Sequence, residues 1–211
     1  MKRTATIAAL VLALALGGFS LDLTRPTSVG ANASMPGPGL TGAPSQGTCY
    51  NCHNAGLNDG LGLIQFFNVP PTYTPGQSYI LVAAIGRIAS TRWGFEATAL
   101  TSGGLMAGSF SDSSNAVGEQ TSLGIDYVSQ TTLEGFDGTY SDSTGAGWVF
   151  RWTAPPPGAG TVTFYAAGAA CNKDNAVTGD YTYTTSAQST EGAATAVDLP
   201  TTWGKMKQIY R

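Results

Sequence analysis

The sequence predicts an all-β fold, an antiparallel sandwich or barrel of about eight short strands. Three observations support this prediction. Charged residues make up only 11% of the 211 residues, well below the quarter that is usual in soluble domains. Gly, Ser and Thr are abundant instead, which is typical of short strands joined by many turns. Apolar segments of strand length then recur at short spacing after Gly60, with Gly, Pro and Asn between them.

Each predicted strand is bounded by turn residues. SYILVAAIG is mostly apolar, so we expect this strand to be buried on both faces. GWVFRWTAP alternates, which places Trp148, Phe150 and Trp152 on one face. We expect four aromatic residues to form the core rather than surround a cofactor: Trp93, Trp148, Trp152 and Tyr165. The predicted strands are, in order, LGLIQFFNV, SYILVAAIG, WGFEATAL, LMAGSF, GIDYVSQTT, GWVFRWTAP, TVTFYAAG and DYTYTTS.

The N-terminus has the pattern of a secretory signal peptide. Lys2 and Arg3 precede an apolar run from Ile7 to Leu16, and small residues follow. The run is shorter than the roughly 20 apolar residues that span a membrane. We therefore predict that residues 1–33 are signal peptide and leader, and that the protein is exported to the periplasm or the cell surface. The sequence pI of 4.9 argues against nucleic-acid binding.

Three further parts are predicted after the leader. Residues 34–60 form the segment that carries the cysteine motif, and its Pro- and Gly-rich beginning shows no periodicity, so we expect an extended chain there. Residues 61–190 form the β-sandwich. Residues 191–211 form a linker and a short basic amphipathic helix, TTWGKMKQIYR, which we expect to dock on the domain.

The stretch GTCYNCHNAG contains a Cys-x-x-Cys-His motif, the attachment pattern of c-type haem. Cys49 and Cys52 would form thioethers with the two vinyl groups of one haem c, and His53 would be the proximal ligand of its iron. His53 is the only histidine of the chain, and it lies within the motif. We therefore predict an exported monohaem c-type cytochrome that transfers electrons to an unidentified redox partner.

Two other interpretations of the motif remain open. Cys49 and Cys52 could form a disulfide, which would make the protein an adhesion or assembly module without haem. Zinc could bind Cys49, Cys52 and Cys171, with or without His53. Zinc sites usually pair two separate ligand knuckles, however, and the sequence shows one knuckle and a distant cysteine.

With one histidine, the sixth position of the iron needs another ligand. Met106 is the best-placed thioether, because it lies within the predicted domain, although a methionine in a strand is more often part of the core. We expect Cys171 to be buried and inert. The other candidate ligands are Met35, Met206, Lys173, Cys171 and a solvent water.

No catalytic constellation accompanies the motif, so we expect a protein that is not an enzyme. A Ser-His-Asp set would need the histidine that the motif uses, and neither a P-loop nor a dinucleotide fingerprint occurs. A third interpretation is a haem enzyme or gas-binding protein with an open iron position. The sequence offers no identified distal acid or base for it. An exposed sandwich edge would also suit self-assembly or association with the cell envelope.

The chain resembles the bacterial reelin-domain-like proteins, exported proteins with a variable C-terminal anchor. The stretches that carry the resemblance lie within residues 39–188, and they are TGAPSQGTCYNCH, YTPGQSYILVAAI, GFEATAL, WVFRWTAPPPGAGTVTFYAAG and GDYTYTTS. The resemblance implies an immunoglobulin-like β-sandwich at the cell surface or in the periplasm. It also implies that Cys-x-x-Cys-His belongs to the family's own pattern.

One position departs from that family. Its members often have a histidine in the segment that matches DYVSQTT, where this chain has Gln130. If that histidine is a distal haem ligand in the relatives, the resemblance implies that this chain leaves the iron open or uses Met106.

Overall fold

A computed structural model describes residues 34–112, 115–131 and 144–193 of the chain. Within these ranges, regular structure consists of eleven β-strands and one turn of 3₁₀ helix at Cys49–Asn51. The strands are β1 Gly56–Leu57, β2 Gly62–Phe67, β3 Thr72–Tyr73, β4 Ser78–Arg87, β5 Arg92–Thr101, β6 Ser109–Asp112, β7 Val117–Ser122, β8 Ile125–Gln130, β9 Gly145–Thr153, β10 Val162–Cys171 and β11 Tyr181–Glu191.

The strands form two sheets, which confirms the predicted β-sandwich. The larger sheet has the order β1-β11-β10-β5-β8-β7, with β3 also paired to β11, and the smaller has the order β2-β4-β9-β6. The long strands pair antiparallel, while the two-residue strands β1 and β3 run parallel to β11. All eight predicted strand segments overlap a strand. The sequence missed β7, because VGEQTS is polar and buries only Val117 among its residues.

Aromatic side chains of both sheets fill the space between them, as the alternation of β9 predicts. Trp148, Phe150 and Trp152 are each at most 2% exposed. Phe95 of the larger sheet stacks on Trp148 with ring centroids 4.5 Å apart. Trp93 also lies in this core, but Tyr165 does not belong to it. Tyr165 is half-buried, because its neighbours Phe164 and Ala166 take the inward-facing positions of β10.

β4 is buried on one face, so the expectation of burial on both faces was wrong. Leu81, Ala83 and Ile85 are almost fully buried, whereas Ile80 is 39% exposed. The outward face continues across the smaller sheet through exposed apolar residues, since Val82 pairs with both Phe67 and Val149. Among the described residues, no layer covers this face. The sequence run is apolar because one of its faces packs in the core and the other presents Val and Ala outward.

The larger sheet is covered on its outer face by residues 34–55, which we call the covering segment. Its backbone makes several of the contacts: Met35 N–H donates to the Gln130 carbonyl at 3.1 Å, and the Pro36 carbonyl accepts from Gln120 Nε2 at 2.7 Å. Gln46 Nε2 donates to the Tyr127 hydroxyl at 3.0 Å. Because the covering segment is held by polar contacts, its sequence has no periodic apolar pattern. The sequence therefore predicted only an extended chain there.

Two predicted elements lie outside the described residues: the signal peptide and leader at 1–33, and the C-terminal helix within 201–211. Among the residues that the structure describes, no helix has the length and apolar character needed to cross a membrane.

Candidate functional site

The Cys-x-x-Cys-His motif forms one capped turn. Thr48 precedes the turn, and its hydroxyl accepts a hydrogen bond from Tyr50 N–H at 3.2 Å. The Cys49 carbonyl then accepts from Cys52 N–H at 3.2 Å and from His53 N–H at 2.8 Å. The turn therefore holds the two cysteines and the histidine in a fixed succession.

The turn docks on β10 through Cys49. Its side chain is 7% exposed and packs in a small cluster with Ala167, Ala169 and Cys171. Small side chains on this face of β10 let the turn approach the sheet closely. Because burial disfavours the thiolate, the pKa of Cys49 is raised to about 12. In this conformation Cys49 is a neutral thiol.

His53 contacts the opposite strand, β11. Its Nδ1 lies 2.7 Å from Oδ2 of Asp180, and its carbonyl accepts from the Thr182 hydroxyl at 3.0 Å. The His53 side chain is 16% exposed and the Asp180 side chain 1%. Nε2 makes no hydrogen bond to any residue that the structure describes. One ring nitrogen is thus anchored by a buried carboxylate.

Asp180 is itself fixed by the hairpin that joins β10 to β11. Its second oxygen, Oδ1, accepts from Asn172 N–H at 3.0 Å, and its carbonyl accepts from Ala55 N–H at 3.0 Å. Ala170 pairs with Tyr181, which places Cys171 beside Asp180 at the end of the ladder. The carboxylate is therefore held in place from both sides.

Cys171 completes a cluster of three different donor atoms. Its Sγ lies 3.8 Å from His53 Nδ1, and the donor atoms of His53, Cys171 and Asp180 all lie within 4.8 Å of one another. Burial, followed by the nearby Asp180 carboxylate, raises the pKa of the Cys171 thiol. The hairpin between β10 and β11 thus places two further donor groups, those of Cys171 and Asp180, beside His53. The zinc interpretation drawn from the sequence did not include Asp180. Nitrogen, sulfur and carboxylate donors together suit zinc.

All three cysteines are free thiols, so no disulfide joins Cys49 to Cys52. Cys52 is half-buried, while Cys49 and Cys171 are almost fully buried. The adhesion-module interpretation relied on a Cys49–Cys52 staple, and the structure attaches the motif to the sandwich without it. Hydrogen bonds and the Cys49 cluster take that role.

Met106 lies at the other end of the sheet from the motif. It bridges Leu100 near the end of β5, whereas Cys171 pairs with Arg92 at the start of that strand. Eight residues of strand correspond to about 26 Å at roughly 3.3 Å per residue. Met106 packs against the core, and its sulfur accepts from Asp126 N–H at 3.4 Å. The structure therefore does not bring Met106 to His53.

Gln130, the position that departs from the resembled family, has a structural role here. The residue is 5% exposed, and its Oε1 accepts from Phe95 N–H at 2.8 Å. Its amide also lies against the backbone of Gly94, where a Cβ atom would lie 3.1 Å from Gln130 Nε2. The side chain is therefore committed to the strand β5.

Glu96 is a buried carboxylate that sequence reasoning missed. It lies beneath the covering segment. It is 0% exposed and accepts hydrogen bonds from Leu40 N–H and Gln120 Nε2. Burial outweighs these bonds and raises the pKa of Glu96 to about 7. The alternation of WGFEATAL predicts its outward direction, but only the fold shows that the covering segment lies over it. Glu96 thus helps to hold the segment that carries the motif.

Asp180 is the other residue that sequence reasoning missed, although a signal existed. Residues 169–179 join the predicted strands TVTFYAAG and DYTYTTS, and a hairpin there would bring Asp180 close to the residues that follow Gly168, Cys171 among them. Recognising that hairpin would have predicted a Cys171–Asp180 pair. The contact of this pair with His53 depends on the docking of the covering segment, which leaves no local pattern.

Several solved structures are similar to this chain. The human F-spondin reeler domain matches with 20% identity and a TM-score of 0.41 over 63% of this chain and 89% of that one. The Reelin-N domain of F-spondin matches with 23% identity and a TM-score of 0.42 over 63% and 87%. BslA, a bacterial hydrophobin, matches with 11% identity and a TM-score of 0.32 over 63% and 96%.

No family model matches the chain, and no curated protein sequence matches it.

Proposed function

We propose that the protein is an exported monohaem c-type cytochrome that transfers electrons in the periplasm or at the cell surface. Cys49 and Cys52 would hold the haem, and His53 Nε2 would bind its iron. The observation that carries the proposal is the 2.7 Å contact between His53 Nδ1 and Asp180. Metal-binding histidines almost always donate their second ring N–H to a carboxylate or a carbonyl. His53 is anchored in this way, with Nε2 left over.

The two thiols fit attachment in different ways. Cys52 is half-buried, so its thiol is accessible at the end of the turn. Cys49 is 7% exposed, and its thiol has a pKa raised to about 12. Attachment at Cys49 therefore fits a chain whose turn has not yet docked on β10.

The surroundings of His53 favour electron transfer over catalysis. When bound, the haem supplies a one-electron couple of its iron. Asp180 Oδ2 and Cys171 Sγ lie 2.7 and 3.8 Å from His53 Nδ1, so both groups are on the Nδ1 side of the ring. Asp180 is already occupied by His53 and by the Asn172 amide. The chain's residues thus hold and orient the imidazole, and a partner protein would supply or accept the electron.

Spectroscopy tests the proposal. The chain is expressed with its N-terminal segment in a host that matures c-type cytochromes, beside a control cytochrome. The reduced pyridine spectrum is then recorded, and haem-bearing peptides are mapped. We expect a c-type spectrum and a haem peptide that contains Cys49 and Cys52. A colourless protein from a host that matures the control would overturn the proposal.

A mononuclear metal centre is the second candidate, because three donor atoms of different type converge at His53, Cys171 and Asp180. Zinc would then bind His53 through Nδ1 rather than Nε2. Metal analysis of colourless protein distinguishes the two candidates. One equivalent of zinc that Cys171→Ser removes and Cys52→Ser retains would support the metal centre, since Cys52 is not part of this cluster.

A further inference from the structure

We propose that the C-terminal segment of the chain, residues 194–211, covers the outward apolar face of the smaller sheet with its amphipathic helix. The sequence predicts this helix and its docking on the domain, but it does not indicate which surface receives the helix. The inference goes beyond the proposed haem function and does not depend on it, because the Cys-x-x-Cys-His motif docks on the larger sheet.

The outward face of the smaller sheet presents large apolar side chains from two neighbouring strands. Leu63 and Phe67 of β2 are 53% and 45% exposed, and Ile80 of β4 is 39% exposed. Phe67 pairs with Val82, which lies on the same face of β4 as Ile80. A contiguous exposed apolar surface of this kind is typical of an interaction site.

The relief of this face suits the side chains of a helix. Leu63 pairs with Gly86, and Ala84 is the next outward-facing residue of β4, so small residues lie beside Leu63. A groove lined by Leu61, Leu63 and Ile88 continues the apolar surface past this point. Large side chains of a covering helix can therefore enter the space beside Leu63.

The chain leaves the sandwich at the Phe67 end of this face. Glu191, the last residue of β11, pairs with Tyr73, which follows Phe67 by six residues. At the other end of β2, a Cβ atom on Gly62 would lie 2.7 Å from the ring of Tyr183, near the start of β11. β2 and β11 therefore run in the same direction, and the C-terminal segment begins at the Phe67 end.

The C-terminal segment has the length to cover the face. Residues 194–200 span up to about 23 Å when extended. The predicted helix at 201–211 is about 16 Å long. Leu63 and Phe67 lie four residues apart on β2, which corresponds to about 13 Å. A helix that starts near Phe67 thus reaches Leu63.

The predicted helix needs an apolar surface to pack against. Trp203, Met206, Ile209 and Tyr210 recur at helical spacing, which gives the helix one apolar stripe. A helix of this length is marginal in water, so its stability comes from packing of that stripe. The covering segment already occupies the outer face of the larger sheet, whereas no described residues cover the smaller sheet. That face is therefore the surface that the stripe fits.

Hydroxyl-radical footprinting of the full chain tests the inference, because mass spectrometry then reports the accessibility of each side chain. We expect Met206→Asp to raise the oxidation rates of Phe67 and Ile80 severalfold, since the charge disrupts the apolar stripe. Gln208→Asp is the matched control. It places the same charge on the opposite side of the predicted helix, and we expect it to leave both rates unchanged.

The reciprocal variant reads the contact from the other side. Phe67→Asp changes an exposed position, and we expect it to raise the oxidation rate of Trp203 severalfold. Leu123 on the β7–β8 turn is 101% exposed and serves as the reference, with each rate normalised to the intrinsic reactivity of its side chain. Protection of Trp203 that survives Phe67→Asp and Ile80→Asp would place the helix elsewhere and overturn the inference.

Two further outcomes would also overturn the inference. Phe67 in wild type could be oxidised as fast as Leu123, which would show that nothing covers the face. Protection of Phe67 that disappears on dilution, together with a dimeric mass in light scattering, would show that a second copy of the chain covers it. Each outcome is read in protein with or without haem, so none of them bears on the proposed function.

Discussion

His53 Nδ1 lies 2.7 Å from Asp180 Oδ2, although 127 residues separate the two in the chain. This contact joins the turn of the Cys-x-x-Cys-His motif to the hairpin between β10 and β11. The motif is therefore part of the sandwich and not an appended leader. Its chemistry depends on residues at the opposite end of the sequence, because only the fold brings the carboxylate to the imidazole.

Cysteine variants test whether the two thiols of the motif, and not the thiol of Cys171, attach the haem. We predict that Cys49→Ala and Cys52→Ala each lose most of the covalently bound haem, since each removes one thioether. Cys171→Ala is the matched control and keeps the haem, because Cys171 lies outside the motif. Haem staining after denaturing electrophoresis measures the outcome. Equal staining of all three variants would contradict the assignment.

Thiol reactivity reports the docking of the turn. In haem-free protein we predict that iodoacetamide modifies Cys52 first, because Cys49 and Cys171 are 7% and 9% exposed. At pH 9 the thiol of Cys49 is still almost entirely protonated, because its pKa is raised to about 12, and its modification therefore stays slow. Mass spectrometry of peptides from native and urea-unfolded samples measures each site. Modification of Cys49 as fast as Cys52 in native protein would show that the turn does not dock.

Glu96 gives the covering segment a pH dependence. Its folded pKa of about 7 lies above its ordinary value of 4.5. Between these values the unfolded chain loses the proton and the folded chain keeps it, so rising pH destabilises the folded state. Over this pH window the free energy of unfolding falls by at most about 3 kcal/mol because of Glu96. Above pH 7 Glu96 causes no further loss of stability.

Glu96→Gln provides the comparison, because glutamine does not titrate. We predict that the stability of wild type relative to Glu96→Gln falls as the pH rises from 4.5 to 7. Urea unfolding at several pH values measures this difference and cancels the contribution of the other carboxyl groups. A difference that is constant over this range, or that grows with pH, would refute the assignment.

Trp152 anchors the core between the sheets. It is 0% exposed, contacts Tyr73 and Phe164 edge to face, and donates from Nε1 to the Ala107 carbonyl at 2.8 Å. We predict that Trp152→Ala costs about 3–5 kcal/mol of unfolding free energy. Val149→Ala, on the outward face of the same strand, changes it by about 0.5 kcal/mol or less. Chemical unfolding measures both, and equal losses would contradict this placement of the core.

The sequence predicted the strands because their signals are local. Alternation in β9 put Trp148, Phe150 and Trp152 on one buried face, and Gly- and Pro-rich turns marked the boundaries. The polar edge strand β7 carried no such signal. The apolar run of β4 was misjudged, because composition alone does not show whether a second layer covers a sheet.

The candidate site was predictable only in part. The motif identifies Cys49, Cys52 and His53 by spacing. Local patterns indicate a hairpin that ends near Asp180 and the outward direction of Glu96, but they do not show that either side chain contacts the covering segment. Both are buried because the covering segment packs on the sheet through backbone hydrogen bonds, which depend on tertiary contacts and not on residue type. Long-range polar contacts of this kind follow from the fold, and they decide what surrounds the motif.

Native mass spectrometry of the exported protein, after maturation in a c-type host, tests the central claim most directly. Comparison of the native and denatured spectra distinguishes bound haem, a bound metal ion and a disulfide. Covalent haem persists when the sample is denatured, whereas a metal ion is released. We predict the mass of the processed chain plus one haem, unchanged after denaturation. The bare chain, the chain with a metal ion, or a chain lighter by two hydrogens would contradict the account.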